Sequence, residues 1–572
     1  MAERTPSDRV SRRRFLQFLS ASAGASMLAA CGGTPATPAA PGADATSVPA
    51  AAATSAPAAA ATSAPATTAS NANSLAYGLG FDVDDTLDPQ VTNYDSTIRI
   101  TLNICEPLVW EIESGTFEPG LAESWTISPD AKEYTFKLKQ GVTFHDGTPF
   151  NADAVKFTFD RVIDPATKAG QSHDQLGPYD HTEVIDDHTV KVVMKDGFAP
   201  LLANLNGYLG IVSPTAVKKD PVAFARAPIG TGPFKFKEWV PKDHVTLVKN
   251  PDYNWGSSVF KHTGPAYLDE IVFKVIPEGS VRTGALKSGE IQYADELDPL
   301  EYQALKSDPK FVVIEKGQPG SGYTLLLNQS KTDTPIADPQ VRLAMEYAID
   351  REGLNQSVFQ GLNKAATSPL MRPTLGYDPS TEAMYPFNPD KAKQILDAAG
   401  WVAGSDGIRE KAGKKLALDY PIISRPNDKA MAESMQASLR DVGIDFKVNP
   451  LERAAARELI KQNQYDVAGM WFSYGDPDVL RTLFYSKNFD NFNRAKYAVP
   501  EVDKMLEQAA ASADDAKRKD LYAQIQQRVL KDTALVPLVD TITHNAKRAE
   551  VQGDVIDSLA SYVLLYDVQI KK

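Results

Sequence analysis

The sequence predicts an α/β fold with more than one lobe. Three observations predict it. Roughly 500 residues of globular composition follow an amino-terminal segment too poor in apolar bulk to fold, which is more than one domain usually holds. Short β-rich runs alternate with capped amphipathic helices. No apolar run approaches the roughly 20 residues of a membrane-spanning helix.

Taken in chain order, the first element is a leader. Ser11 to Gln17 reads S-R-R-R-F-L-Q, twin arginines before a mildly apolar stretch of Ala, Ser and Leu that ends near Ala30. This marks residues 1–30 as a twin-arginine export signal that is removed. Leu28, Ala29 and Ala30 stand directly before Cys31, the arrangement of a lipobox in which the cysteine sulfur is acylated and becomes the new first residue. Each methylene of such an anchor adds about 0.8 kcal/mol of membrane affinity. The bland alternative is an incidental cysteine near an ordinary cleavage site.

Residues 31–73 are almost wholly Ala, Pro, Thr, Ser and Gly, a composition that reads as a disordered tether. Once Cys31 is acylated only Cys105 remains, so no intramolecular disulfide is expected and the core must supply stability. The formal charge of −13 becomes about −16 without the leader, which with no basic runs argues against nucleic acid as a partner.

In the globular part, Tyr134, Phe136 and Leu138 alternate with polar residues as in a half-buried strand, and His145-Asp146-Gly147 supplies a turn. Val155, Phe159 and Val162 then predict a helix capped by Asn151 or Asp153. Further on, Asp338-Pro339 and Asn388-Pro389 each pair a cap with a first-turn proline. The apolar stripes behind them run through Val341, Ala344, Met345 and Ala348, and through Ile395, Leu396 and Ala399, the second stopped by Gly400. A helix is predicted from Asp428 to Val442, closed by Gly443, with strands at 415–423, 444–448 and 465–471. The segment Glu106 to Ala225 reads as a lobe of its own.

Catalytic signatures are absent from the sequence: there is no G-x-S-x-G, H-E-x-x-H, C-x-x-C or G-x-x-x-x-G-K-[ST]. The seven histidines are scattered. The run from Asp82 to Asp85 with Asp88 lacks the glycine and glutamate of a calcium loop, so no metal or other cofactor is expected. What remains is a set of polar and aromatic residues just beyond predicted strands: Arg425 on one side, Trp471, Ser473, Tyr474 and Asp476 on the other. Ligands of open α/β sheets sit outside the carboxyl ends of strands, so both groups are placed to line one cleft. Tyr94 is added as a further candidate ligand contact. Arg425 as a surface ion pair and Trp471 as core are the structural alternatives.

Several dispersed segments carry a resemblance: Leu121 to Trp125, Gly141 to Gly147, Pro228 to Phe234 with Glu238 and Trp239, Asn250 to Tyr253, Val341 to Arg351, Lys391 to Trp401, and Gly475 to Asp478. Through them the chain resembles the extracellular solute-binding proteins of ABC importers, the oligopeptide, dipeptide and nickel-binding family (family 5). The resemblance implies a type II periplasmic-binding-protein fold, two hinged lobes plus an extra lobe. It divides the chain into lobe I (74–105, 226–325 and 530–572), lobe II (106–225) and lobe III (326–529). It further implies a monomer that captures a small solute, foremost a peptide or peptide-like compound, and delivers it to permease subunits from the outer face of the cytoplasmic membrane. Peptide-binding members place an aspartate for the ligand's ammonium where this chain has Ser473, which disfavours a free amine as the recognised group. Arg425 matches the Arg-Pro stretch that grips the ligand carboxylate. An oligosaccharide, an opine-like compound or a chelated metal are the alternative ligands, and an exported hydrolase the alternative class.

Overall fold

The computed structural model describes residues 73–83, 86–489 and 491–571; the leader, Cys31, nearly all of the tether, Asp84 and Asp85 lie outside them. The elements that position the site are, in chain order, β1 (Ser74–Leu79), α1 (Asp95–Thr101), the hairpin β2 (Val109–Glu113) and β3 (Thr116–Pro119), α2 (Ala152–Ile163), β4 (Tyr293–Ala294), β5 (Phe311–Gly317) and β6 (Gly320–Leu327). They continue with α3 (Pro339–Ala348), α4 (Arg351–Phe359), α5 (Pro389–Ala398), β7 (Ala417–Ile423), α6 (Pro426–Asp441), β8 (Val467–Ser473), α7 (Asp515–Lys531), β9 (Leu535–Asp540) and β10 (Ile542–Arg548).

A seven-stranded mixed sheet runs in the order β5, β10, β4, β1, then the strands 270–275, 244–249 and 234–240. β1 is parallel to both of its neighbours, so β1 and β4 leave the sheet at the same edge. A four-stranded antiparallel sheet built from 122–127, 133–138, 189–194 and 179–186 lies within 106–225. There Tyr134, Phe136 and Leu138 are buried, as their alternation requires. Behind them α2 buries Val155, Phe159 and Val162 and is capped by Asn151, whose side chain accepts the Ala154 N–H at 3.1 Å. One apolar core runs through both sheets, from Leu75, Ile271 and Phe273 to Phe136 and Val155, so segment 106–225 is fused to the first sheet. Each such side chain contributes about 1.5–3 kcal/mol.

The third sheet has the order 364–365, β9, β6, β8. β6 is buried on both faces. Leu325 and Leu327 join Val341, Leu418 and Leu439 on one side, and Leu326 joins Val479, Leu506 and Tyr522 on the other. That is why it ends in three consecutive leucines, Leu325 to Leu327, rather than in an alternation. The helices around it carry the predicted caps: Asp338 accepts the Gln340 N–H at 2.9 Å and Asn388 the Lys391 N–H at 2.9 Å. Gly400 and Gly443 take φ of +83° and +88° where α5 and α6 end, a conformation that favours glycine.

Two expectations need correction. β6 and β9, divided between lobes I and III at 325/326 and assigned to lobe I beyond 530, both pair in the third sheet, so the chain crosses between sheets at 317–320 and 540–542. Gly317, Pro319 and Gly320 mark the first passage as a turn, and no glycine or proline marks the second. Strand β8 also runs two residues further than predicted, which makes Ser473 its last residue rather than the start of a loop.

Candidate functional site

Four strand ends define the site. β1 and β4 release Gly80 and the pair Asp295-Glu296 at one edge of the first sheet. β7 and β8 touch at their amino ends, where the Asp466 N–H donates to Asp419 O at 3.0 Å, and their carboxyl ends lead to Arg425 and to Ser473-Tyr474. Tyr323 on β6 feels charges from both sets of ends. Burial first, then the Asp428 carboxylate and more weakly Glu296 from the first sheet, raise its hydroxyl to about 12 against the opposing Arg425.

Arg425 immediately precedes α6, and its side chain is 52 % exposed. Its nearest acid is Asp428, at 3.8 Å, beyond hydrogen-bond reach. Burial raises the Asp428 carboxyl, and Arg425 offsets this only in part. Beside them three rings form a stack: Trp471 on Tyr323 at 6.2 Å and Tyr323 on Phe359 at 5.9 Å. The Trp471 indole N–H donates to Thr541 Oγ1 at 3.1 Å, while the residue keeps 38 % exposure. Trp471 is therefore partly exposed and not core. Ser473 lies at the same strand end, its hydroxyl 3.4 Å from Leu559 O.

Across from this group, Glu296 holds a φ of +47°, and its side chain remains 35 % exposed. Oε1 accepts from Arg99 Nη2 at 3.1 Å, and burial raises the carboxyl despite that cation. Tyr94, before α1 in the first body, is 48 % exposed, and its N–H donates to Thr92 Oγ1 at 3.1 Å. Sequence reasoning missed Glu296 and Tyr323. Glu296 obeys the strand-end rule that found Arg425, but β4 has two residues and no pattern to announce it.

Asp476 and Tyr474 differ from expectation. Asp476 is buried, with Oδ1 and Oδ2 accepting from Arg518 Nη2 at 2.6 and 2.8 Å and Oδ1 also taking the Asp478 N–H at 2.8 Å. These bonds fix the turn and leave no carboxylate facing the crevice. The Tyr474 hydroxyl is held well above its ordinary range by burial and then by Asp478, within hydrogen-bond reach of Asn204. His145 is likewise structural: its Nε2 lies 2.9 Å from Gly232 O, and burial lowers it to about 4. Among the described residues no group of three His, Cys, Asp or Glu is placed to hold a metal ion.

Comparison with known proteins identifies the family. The model of the family described as bacterial extracellular solute-binding proteins, family 5 Middle, matches residues 116–492. A probable D,D-dipeptide-binding periplasmic protein, DdpA of Escherichia coli K12, is 32 % identical over 495 residues, covering 84 % of this chain and 90 % of that protein. Heme-binding protein A of Haemophilus influenzae is 29 % identical, over 80 % and 85 % of the two chains. The solved structure of the ABC transporter-associated periplasmic binding protein DppA from Helicobacter pylori, in complex with the peptide STSA, superposes with a TM-score of 0.71 at 28 % identity, over 87 % of this chain and 98 % of that one. The chain thus belongs to the family 5 bacterial extracellular solute-binding proteins, exported components of ABC importers that bind a solute for their permease and are not enzymes.

Proposed function

We propose that this chain captures a peptide or peptide-like solute bearing a carboxylate, holds it between the strand ends described above, and presents it to the permease. The observation that carries the reading is Arg425: an accessible guanidinium at a strand end, with no acid within hydrogen-bond distance, beside an aromatic stack. A guanidinium takes a carboxylate through two parallel hydrogen bonds, which gives orientation as well as energy. Two of the similar proteins, DdpA and the peptide-bound DppA, carry dipeptide or peptide in their descriptions. Trp471, Ser473 and Tyr94 complete the proposed contacts, with Glu296 and Tyr323 added; Asp476 is left out because Arg518 holds it.

A second reading keeps the fold and exchanges the ligand for an oligosaccharide, an opine-like compound or a chelated metal. Ser473 favours it, since a hydroxyl cannot give an ammonium the charge-assisted bond of a carboxylate. Thermal-shift screening of short peptides, sugars and metal chelates separates the two. A ligand at about 100 times its Kd adds about 2.7 kcal/mol to stability, so the class that raises Tm names the ligand. A panel in which peptides shift nothing and sugars or chelates do would overturn the peptide reading.

The same proposal includes the anchor. Twin-arginine export followed by acylation of Cys31 would tether a monomer to the outer face of the cytoplasmic membrane, with residues 32–73 as the leash. Cys31→Ser should release the chain from the membrane fraction. Retention of that variant on the membrane would remove the lipid from the account.

A further inference from the structure

The chain passes between the first and third sheets twice, at 317–320 and at 540–542. Every other contact between residues 320–540 and the rest is non-covalent, so those away from the two passages can open when the sheets part. One set of these contacts is built like a clasp. The hairpin β2–β3 belongs to the first body, and its tip reaches the loop after β8. Ser114 Oγ donates to Gly475 O at 2.6 Å and accepts the Leu375 N–H at 2.9 Å. Behind Ser114, the buried Glu111 accepts from Ser558 Oγ at 2.7 Å and from the Gly115 N–H at 2.8 Å. A Cβ on residue 475 would stand 2.3 Å from Glu111 Oε2, so Gly475 lies directly over the carboxyl group, and any larger residue there would displace it.

We propose that Glu111 and Ser114 are positioning residues of a proton-linked clasp, which holds the Gly475 loop and the adjoining end of β8 against the first body and closes with uptake of one proton from solvent by Glu111. The charged groups around Glu111 favour this. Asp476 approaches from the Gly475 loop, its charge shared with Arg518, and Asp557 approaches from the carboxyl-terminal segment. Lys316 on β5 spends its ammonium on Ile112 O at 2.9 Å, Ile556 O at 3.1 Å and Glu113 Oε1 at 3.3 Å. With the loop seated, burial first, and then Asp476 and Asp557, push the Glu111 carboxyl from 4.5 up to about 7, against the bonds from Ser558 and Gly115. With the loop lifted, water reaches the group and it returns toward 4.5. The clasp therefore holds best below about pH 4.5 and loses this contribution as pH rises through about 7.

The consequence rests on the capture reading, because the strand end that the clasp places carries Ser473; the test needs no ligand, so the two can fail separately. Spin labels at Leu300→Cys and Phe387→Cys, two exposed positions on opposite sides of the crossovers, report the distance between the bodies in a Cys31→Ser chain, where Cys105 is buried and unreactive. In the ligand-free protein the closed-to-open ratio should fall roughly 50- to 100-fold from pH 5 to pH 8. Glu111→Gln should make the ratio independent of pH, and Ser114→Ala should lower it about fivefold at every pH while keeping the slope. A wild-type ratio that does not change with pH overturns the proposal, as does an unchanged slope in Glu111→Gln. If that variant does not fold, the wild-type series and Ser114→Ala decide.

Discussion

Arg518 lies on α7, and one of its nitrogens meets both oxygens of Asp476 with both groups buried. Removing one member leaves the other charge unpaired in the interior, which costs about 3–5 kcal/mol. Asp476→Ala should accordingly lower the Tm by several degrees with or without ligand, whereas Arg425→Ala should leave the ligand-free Tm nearly unchanged. The Arg425 substitution should instead weaken ligand affinity by about 1.5–3 kcal/mol, read by calorimetry. An unchanged Kd in Arg425→Ala would take that residue out of the site. Arg425 was legible in the sequence because a predicted strand ends just before it and a proline follows. Asp476 was misread because its partner lies 42 residues further along, and a loop aspartate gives no sign of such a pairing. Tyr323 was invisible for a different reason: it sits in the apolar strand β6, where an aromatic residue reads as core.

Helix starts were the most legible elements, since a cap acts over three residues. Among the described residues the Asn388 side chain bonds only the Lys391 N–H, and Asn388→Ala should cost about 1 kcal/mol. Asp338 does more: besides the Gln340 N–H it accepts from Trp401 Nε1 at 3.1 Å and Lys411 Nζ at 3.0 Å. Asp338→Ala should therefore cost roughly twice as much, about 2 kcal/mol, and denaturant titration of the two variants tests the order. The same partners, Gln340, Lys411 and Trp401, depress the Asp338 carboxyl against the opposing effect of burial. Its contribution is thus present above the ordinary aspartate range and is lost as pH falls through the lowered value. Strand ends were less legible. Nothing in the pattern distinguishes 465–471 from 467–473, and that shift moved Ser473 from loop to strand.

At the scale of the whole molecule, the α/β class follows from periodicity and length, whereas the core that fuses the sheet within 106–225 to the first sheet does not. The crossovers do not, because Gln318-Pro319 and Thr541 read as ordinary connections and carry no sign of a change of sheet; each strand is assigned to a sheet by partners far away in sequence. Those two short passages make the protein a pair of bodies that a bound solute can draw together. A ligand that contacts Arg425 on one body and Glu296 on the other gains both sets of contacts only in the closed form, and so shifts the population toward it. The most direct measurement is small-angle scattering of the exported chain, with and without the compound that raises its Tm. The radius of gyration should fall on addition, and the compound should be recovered with its mass unchanged. An unaltered radius at saturating ligand, or a product of different mass, would contradict capture between two closing bodies.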